Sequence, residues 1–177
     1  MIFTKTKILD AYKITLEKFE DERGYFMRSY DKKTFEELNL DPTINQCSVS
    51  VNKKKGTLRG MHFQSPPFEE TKLVRCTKGS VFEVIVDLRK KSPSYMQWEG
   101  FTISSLNYEV LYVPKGCAFG FITLEDDTEI FYQISHEYSA EHAFGIRWND
   151  PKIGIIWPME PFVISNKDKN FKDFVDE

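Results

Sequence analysis

Cysteine and histidine are both scarce in this sequence, with three of each among 177 residues. The cysteines, Cys47, Cys76 and Cys117, show no CxxC spacing, which favours reduced thiols in the cytoplasm. A metal centre needs two or three imidazoles that converge with a carboxylate on one ion, and these histidines are too dispersed for that. We therefore expect neither a metal nor another cofactor.

The chain also lacks a strong charge imbalance and a long apolar run. A formal net charge of -3 provides no basic footprint for nucleic acid. Residues 1–5 contain no apolar signal-peptide core, and no segment approaches the length of a membrane span. We expect a cytoplasmic protein whose partners include neither nucleic acid nor a membrane.

Aromatic residues, in contrast, are abundant. They make up 15% of the chain, within a hydrophobic content of 41%, and this predicts one compact, β-rich domain over residues 1–177. Turn residues separate many short apolar segments, a pattern typical of a sandwich or a jelly-roll barrel. The predicted strands are Thr71–Thr77, Val81–Leu88, Met96–Ser104, Glu109–Val113, Cys117–Leu124 and Thr128–Ser135.

Two short helices are expected beside these strands. The first covers Asp31–Leu40, where Thr34 and Glu37 have the spacing of a capping box and Phe35 begins an apolar face. The second is expected to follow Asn170, near the C-terminus.

The segment Leu58–Gln64 carries the strongest chemical signal in the chain. Strict strand alternation places His62 on one face of this segment and Arg59 on the other. Lys72 follows ten residues after the histidine. A lone histidine with a lysine in the next segment favours proton transfer at a carbonyl compound over metal chemistry.

Proton transfer next to a ketone requires a positioned base and a stabilised enolate. His62 has the residue type for the base, and Asp168 would orient it if the C-terminal tail folds back. Lys72 would supply positive charge to the enolate, and Tyr132 a proton from the opposite face. Each residue also has a structural interpretation: a satisfied core or surface side chain for His62, core packing for Tyr132, a salt bridge for Lys72 and a helix cap for Asp168.

Taken together, the motifs show that the chain closely resembles the dTDP-4-dehydrorhamnose 3,5-epimerase family over nearly its full length. Agreement in the order and spacing of so many blocks is specific for the family and less specific for the substrate. The matching stretches are Asp21–Phe26, Leu58–Gln64, Lys72–Cys76, Val81–Asp87, Ser92–Pro93, Gln97–Trp98, Pro114–Gly116, Trp148–Pro151 and Gly154–Pro158.

The resemblance implies an all-β fold, a cupin-type jelly-roll β-barrel with a few short helices, and a homodimer that exchanges N-terminal strands. It implies a nucleotide-linked 4-keto-6-deoxyhexose as substrate and a place in bacterial polysaccharide biosynthesis. By position, the family's base, its partner, the enolate-stabilising cation and the opposite-face donor match His62, Asp168, Lys72 and Tyr132. Residues that hold the nucleotide, diphosphate and sugar match Arg23, Phe26, Gln46 and Arg59.

Three further pocket positions depart from the family pattern. Phe119 stands where the family commonly has histidine, so the resemblance implies an altered substrate fit there. Arg28 stands where thymidine-specific members often have glutamate, which makes CDP- or GDP-sugars candidates as well. Glu137 replaces a common aromatic residue.

The most favoured function is therefore an isomerase that inverts C3 and C5, or one of them, in a nucleotide-linked 4-keto-6-deoxyhexose. The presence of Tyr132 favours inversion of both centres, whereas Phe119 leaves single-centre activity open. A single-centre epimerase on a CDP- or GDP-linked sugar and a non-catalytic cupin that binds a sugar nucleotide are the alternatives. A ketoisomerase is disfavoured, because that class typically presents two histidines in the pocket strand.

Overall fold

The computed structural model describes residues 1–175, which form short strands joined by turns. Two short helices accompany the strands: α1 (Lys32–Glu37) and α2 (Asn166–Lys169). The strands in this range are β1 (Ile2–Lys5), β2 (Tyr12–Thr15), β3 (Lys18–Asp21), β4 (Gly24–Met27), β5 (Gln46–Asn52), β6 (Thr57–Gln64), β7 (Lys72–Lys78), β8 (Ser80–Asp87), β9 (Trp98–Ser104), β10 (Glu109–Val113), β11 (Cys117–Thr123), β12 (Thr128–Ile134), β13 (Ala143–Gly145) and β14 (Val163–Ile164).

The strands form two packed sheets and one separate ribbon. The first sheet has the order β1-β2-β10-β7-β12-β5, and the second has the order β13-β6-β11-β8-β9, with β14 added parallel to β6. Between β5 and β13 the chain passes back and forth between the sheets, apart from the β8–β9 hairpin. This wrapping of two antiparallel sheets confirms the predicted all-β jelly roll.

The core lies between the two sheets, where alternate residues of each strand point inward. Val81 and Ile85 of β8 contribute to it from the second sheet, and Val74 of β7 and Ile130 of β12 from the first. All four have 0% of their surface exposed. This packed layer holds β6, β7, β11 and β12 in fixed relative positions, and these strands carry the site described below.

The six strands predicted between residues 71 and 135 are all present, as β7 to β12, with ends shifted by two residues at most. The observed β10 has the predicted bounds. These strands bury alternating or continuous apolar residues, which is the property that sequence patterns detect. Strands β3 and β4 are largely exposed and show no such pattern.

Both helices depart from the prediction in detail. The N-cap of α1 is Asp31, whose carboxylate accepts a hydrogen bond from the Thr34 N–H at 3.0 Å, so the predicted capping box is wrong. The second helix precedes Asn170 rather than following it, because Ser165 caps α2 and Asn170 ends it. No helix among the described residues is long and apolar enough to cross a membrane.

Strands β3 and β4 form a two-stranded ribbon that joins neither sheet of this chain. The ribbon contacts Tyr108. The ring of Tyr25 makes an edge contact with the Tyr108 ring, and Nζ of Lys18 lies 3.9 Å from the centroid of that ring. Phe19 and Phe26 of the ribbon remain 66% and 64% exposed. An exposed aromatic ribbon of this kind is a typical contact surface for another molecule.

Candidate active site

Strand β6 brings two of the predicted residues into one cavity through a bulge. Its residues 59 to 62 lie opposite only residues 119 to 121 of β11, since Arg59 pairs with Phe121 and His62 with Phe119. The extra residue shifts the alternation by one, and Arg59 and His62 both line the cavity. The predicted placement of these two side chains on opposite faces is therefore wrong.

Gly60 makes this bulge possible. A Cβ at this position would lie 2.6 Å from the Cα of Gly120, so the two strands approach closely only because residue 60 has no side chain. Its φ of +132° also lies in a region that side chains disfavour. The Gly60 N–H donates a hydrogen bond to Oδ2 of Asp168 at 3.2 Å.

The C-terminal tail folds back onto β6 and delivers Asp168 to His62. Strand β14 pairs in parallel with the start of β6, and α2 follows it directly. Oδ1 of Asp168 lies 2.8 Å from Nε2 of His62. The Asp168 side chain is 6% exposed and the His62 side chain 42% exposed, so the carboxylate is behind the imidazole and the imidazole faces the cavity.

The charge on Asp168 determines how the imidazole is protonated. Burial alone would raise the pKa of Asp168, but hydrogen bonds from His62, the Gly60 N–H and Ser165 outweigh it and lower that pKa below its ordinary value. An ionised carboxylate is only an acceptor, so Nε2 of His62 carries the hydrogen. In the neutral tautomer the lone pair is therefore on Nδ1, the nitrogen at which His62 can accept a proton.

Tyr132 enters the same cavity from the opposite sheet. It lies on β12, opposite Ser48 of β5, and its ring makes an edge contact with Phe119 at 6.3 Å between centroids. Burial raises the pKa of the Tyr132 hydroxyl, a charge on Glu83 raises it further, and Arg59 opposes this. The hydroxyl is therefore protonated at neutral pH and can serve as a proton donor.

Lys72 begins β7 and reaches the cavity as one half of an ion pair. Its Nζ lies 2.6 Å from Oε1 of Glu70, and the two side chains are only 11% and 8% exposed. Oε2 of Glu70 is buried without a partner among residues 1–175. A buried ammonium with a fixed carboxylate beside it is held in one place, so Lys72 presents positive charge to the cavity with little freedom to move.

These side chains converge on a cavity of about 300 Å³. Arg59 also contributes to it, and its Nε donates to the amide oxygen of Asn52 at 2.8 Å, which fixes the guanidinium. The lining combines an apolar floor with a few polar groups, the usual character of a small-molecule site. It consists of Ser48, Ser50, Arg59, His62, Lys72, Phe119, Phe121, Tyr132 and Ile134.

Several lining residues were not predicted from the sequence. Ser48 and Ser50 come from β5, whose mixed composition gives no sign of a cavity wall. Phe121 is two residues beyond Phe119 on β11 and could have been found from strand alternation once Phe119 was placed. Glu70, which is not in the lining but pairs with Lys72, could have been noticed from its spacing of two residues before the lysine.

The other predicted binding residues do not line this cavity within the chain. Arg23 and Phe26 instead line a separate surface pocket of about 270 Å³, and Arg28 lines another of about 230 Å³. Gln46 is exposed at the start of β5, opposite Ile134 of the cavity wall, and Glu137 is exposed in the loop after β12. The predicted residues outside the cavity lining are Arg23, Phe26, Arg28, Gln46 and Glu137.

Arg23, in the turn between β3 and β4, and Arg28, directly after β4, are both already paired within the chain. Arg23 forms an ion pair with Asp21, and both groups are largely exposed. Arg28 donates to Oδ2 of Asp31 at 2.9 Å, the same aspartate that caps α1. The Arg28 guanidinium therefore has a local partner and is not free to offer all its donors to a nucleobase.

Comparison with known proteins gives one consistent result. The family model described as dTDP-4-dehydrorhamnose 3,5-epimerase matches residues 5–176. The protein of that name from Sinorhizobium fredii is 44% identical over 171 residues, covering 96% of this chain and 88% of the relative.

Solved structures agree with the sequence matches. The structure of dTDP-4-dehydrorhamnose 3,5-epimerase from Bacillus anthracis, with TDP and PPi bound, superposes with a TM-score of 0.94 at 40% identity over 98% of this chain and 99% of that one. A 3'-monoepimerase from Streptomyces bikiniensis in complex with dTDP-quinovose has a TM-score of 0.87 at 27% identity, with 95% and 85% covered. From the match along the chain and the shared cupin-type jelly roll, the protein belongs to the dTDP-4-dehydrorhamnose 3,5-epimerase family.

Proposed function

We propose that this protein is an isomerase that inverts C3 and C5 of a dTDP-linked 4-keto-6-deoxyhexose. The observation that carries the proposal is the placement of the His62–Asp168 pair and Tyr132 in one cavity, on strands of opposite sheets. A base on one side and a proton donor on the other are what inversion of a carbon centre requires. Family membership and the names of the relatives support the same activity.

In the proposed mechanism, Nδ1 of His62 removes the proton from the carbon next to the ketone. The C–H electron pair forms a double bond to the carbonyl carbon, and the C=O π pair moves to the oxygen. The resulting enolate would have its negative charge near the ammonium of Lys72. At C5, Tyr132 then gives its hydroxyl proton to the opposite face of the same carbon. The imidazolium and the phenolate return to their starting states by proton exchange with water. At C3, His62 removes the proton in the same way and water protonates the opposite face, so only inversion at C5 depends on Tyr132.

We propose that the nucleotide of the substrate is thymidine diphosphate. The relative from Bacillus anthracis was solved with TDP, and the one from Streptomyces bikiniensis with a dTDP-sugar. Arg28 gives one N–H to Asp31 and its side chain is 59% exposed, so the CDP- and GDP-sugars that its remaining donors would suit are the second choice.

Single-centre epimerisation is the second candidate function. Phe119 makes the cavity wall beside His62 apolar, at the position where the family commonly has a histidine. The similar protein from Streptomyces bikiniensis is a 3'-monoepimerase, so this fold is compatible with single-centre chemistry. The non-catalytic alternative is less favoured, because a binding module has no need for a base held at 2.8 Å by a buried carboxylate.

Solvent exchange tests the function directly. The protein is incubated in D2O with dTDP-, CDP- and GDP-linked 4-keto-6-deoxyhexoses, and deuterium at C3 and C5 is followed by NMR and mass spectrometry. Deuterium at both carbons of the dTDP-sugar supports the proposal, and deuterium at one carbon supports the single-centre alternative. Absence of exchange with all three, in protein shown to be folded, contradicts the proposal.

The protein is proposed to act as a homodimer in which N-terminal ribbons are exchanged. One edge of the first sheet is β5, whose Val49 and Val51 are 58% and 57% exposed, and an uncovered edge of this kind favours pairing with another chain. The ribbon with Arg23 and Phe26 lies outside the cavity of its own chain. A partner's ribbon placed along β5 would complete each cavity with a diphosphate- and nucleotide-binding wall.

This arrangement predicts complementation between inactive variants. In a mixed dimer of Arg23→Ala and His62→Ala chains, one cavity has both residues intact, so we expect about half of the wild-type activity per dimer. The dimer is isolated with two different affinity tags, and kcat/KM is compared with that of each parent. A mixed dimer of His62→Ala and Asp168→Asn is the matched control and should show no recovery, because both residues belong to the same chain's cavity. A monomeric protein, or a first mixture no more active than its parents, would contradict the exchange.

The cytoplasm is the proposed location. Cys47, Cys76 and Cys117 are free thiols in the structure, and unpaired cysteines are typical of a reducing compartment.

A further inference from the structure

Glu83 is a buried acid that the mechanism above does not use. It lies in the middle of β8 with 0% of its surface exposed. Neither carboxyl oxygen has a hydrogen-bond partner among residues 1–175. Buried polar groups are nearly always paired, so an unpaired carboxyl inside the barrel requires a physical explanation.

The position of Glu83 is directly beside the floor of the active-site cavity. On β8 it lies on the same face as Val81 and Ile85, two residues before and after it, and these side chains point into the core between the sheets. Across the strands it pairs with Phe121 of β11 and Phe101 of β9. Phe121 lines the cavity, and neither aromatic ring offers a hydrogen bond to the carboxyl group.

Titratable and charged groups on the neighbouring strands interact electrostatically with Glu83. Across the barrel, a charge on Glu83 raises the pKa values of Cys76 on β7 and Tyr132 on β12. On the same sheet, Arg59 of β6 lies in the same cross-strand row, beyond Phe121. Tyr132 is therefore within electrostatic reach of both a permanent cation and an ionisable acid.

Glu83 is the member of this group that changes charge near physiological pH. Burial raises its pKa to about 8, so the carboxyl is neutral at pH 7. Burial raises the pKa of Cys76 to about 12, and the pKa of Tyr132 is raised as well, so both stay protonated at pH 8. Arg59 stays charged throughout.

We propose that Glu83 is a positioning residue for Tyr132: as a neutral acid beneath the cavity floor it keeps the tyrosine a competent proton donor, and its ionisation limits epimerisation at alkaline pH. The inference rests on the proposed function, since it acts through the donor role of Tyr132. The physical reason is that proton donation leaves a phenolate, and a second negative charge in the same low-dielectric interior opposes its formation.

The pH dependence of inversion at each carbon tests this role. In wild-type protein, the rate of inversion at C5 relative to C3 should fall about tenfold between pH 7 and about pH 9, because about a tenth of Glu83 is neutral at the higher value. Glu83→Gln, which is permanently neutral, should show a flat ratio over this range. Glu36→Gln removes an exposed helix carboxylate and should retain the wild-type profile.

The protonation state of Glu83 is measured separately from activity. Its folded-state pKa of about 8 lies above the ordinary value of 4.5, so its favourable contribution to stability is complete below pH 4.5 and is lost as pH rises to about 8. The unfolding temperature of wild type relative to Glu83→Gln should therefore fall steadily from about pH 5 to about pH 8. Glu36→Gln should show no such trend.

The outcomes distinguish this inference from the proposed function. Exchange at both carbons with an alkaline fall that persists in Glu83→Gln overturns the role of Glu83 and leaves the epimerase intact. A pH-independent stability difference shows that Glu83 is not a neutral acid and also overturns the inference. Absence of exchange in wild type overturns both the function and the inference that depends on it.

Discussion

Replacing His62 by alanine is expected to lower turnover by about 10²–10⁴-fold, since general base catalysis contributes that much to a proton transfer. Asp168→Asn should have an effect of similar size. An asparagine amide can donate to Nε2 of His62, which moves the ring hydrogen to Nδ1 and removes the lone pair that faces the cavity. The measurement is kcat and KM by coupled assay together with deuterium exchange.

The structure provides a matched control for this experiment. Asp173 lies in the same C-terminal tail, is 45% exposed and pairs with Arg147 instead of His62. Asp173→Asn should therefore retain wild-type turnover. Asp168→Asn should stay folded, because the asparagine oxygen can still accept the hydrogen bond that the Gly60 N–H now donates to Asp168. Near-normal turnover in His62→Ala would show that the proposed base is wrong.

Tyr132→Phe is expected to lose C5 epimerisation by more than about 10²-fold while exchange at C3 survives. The substitution removes the proton donor and retains the ring that packs against Phe119. The two centres are followed separately by NMR, which gives the configuration of each carbon as well as its deuterium content, because His62 can return a deuteron to the face it deprotonated without inversion.

Tyr12→Phe serves as the control, because Tyr12 lies on β2 and does not line the cavity. It should leave both rates unchanged. Equal loss at C3 and C5 in Tyr132→Phe would show that Tyr132 is not a selective donor. Retention of both rates would place the donor elsewhere in the cavity, with Lys72 the next group to test.

Much of the fold was predictable because the central strands bury their side chains. Segments such as Glu109–Val113 combine β-forming residues with turn signals at each end, and these patterns are local. The ribbon of β3 and β4 could not be found in this way. Its side chains are mostly exposed, so burial imposed no pattern on its sequence.

The site was predictable only in part. His62 and Lys72 stand out by residue type and closeness in sequence, whereas Asp168 is 106 residues away from the histidine that it contacts. The alternation rule placed Arg59 and His62 on opposite faces, and a bulge brought them together. Glu83 is flanked by apolar residues on both sides, so the sequence does not indicate that its carboxyl faces the interior.

The sequence by itself determined the family, the all-β architecture and the residue types available for chemistry, because buried strands and spaced motifs leave local patterns. The tertiary structure alone decided which of these residues meet. The parallel pairing of β14 with β6 delivers Asp168 to His62, and the packing of two sheets sets Tyr132 across the cavity from the base and Glu83 beneath the floor. Contacts of this kind depend on strand register and on the joint burial of groups from distant segments, and no single segment of the chain determines either.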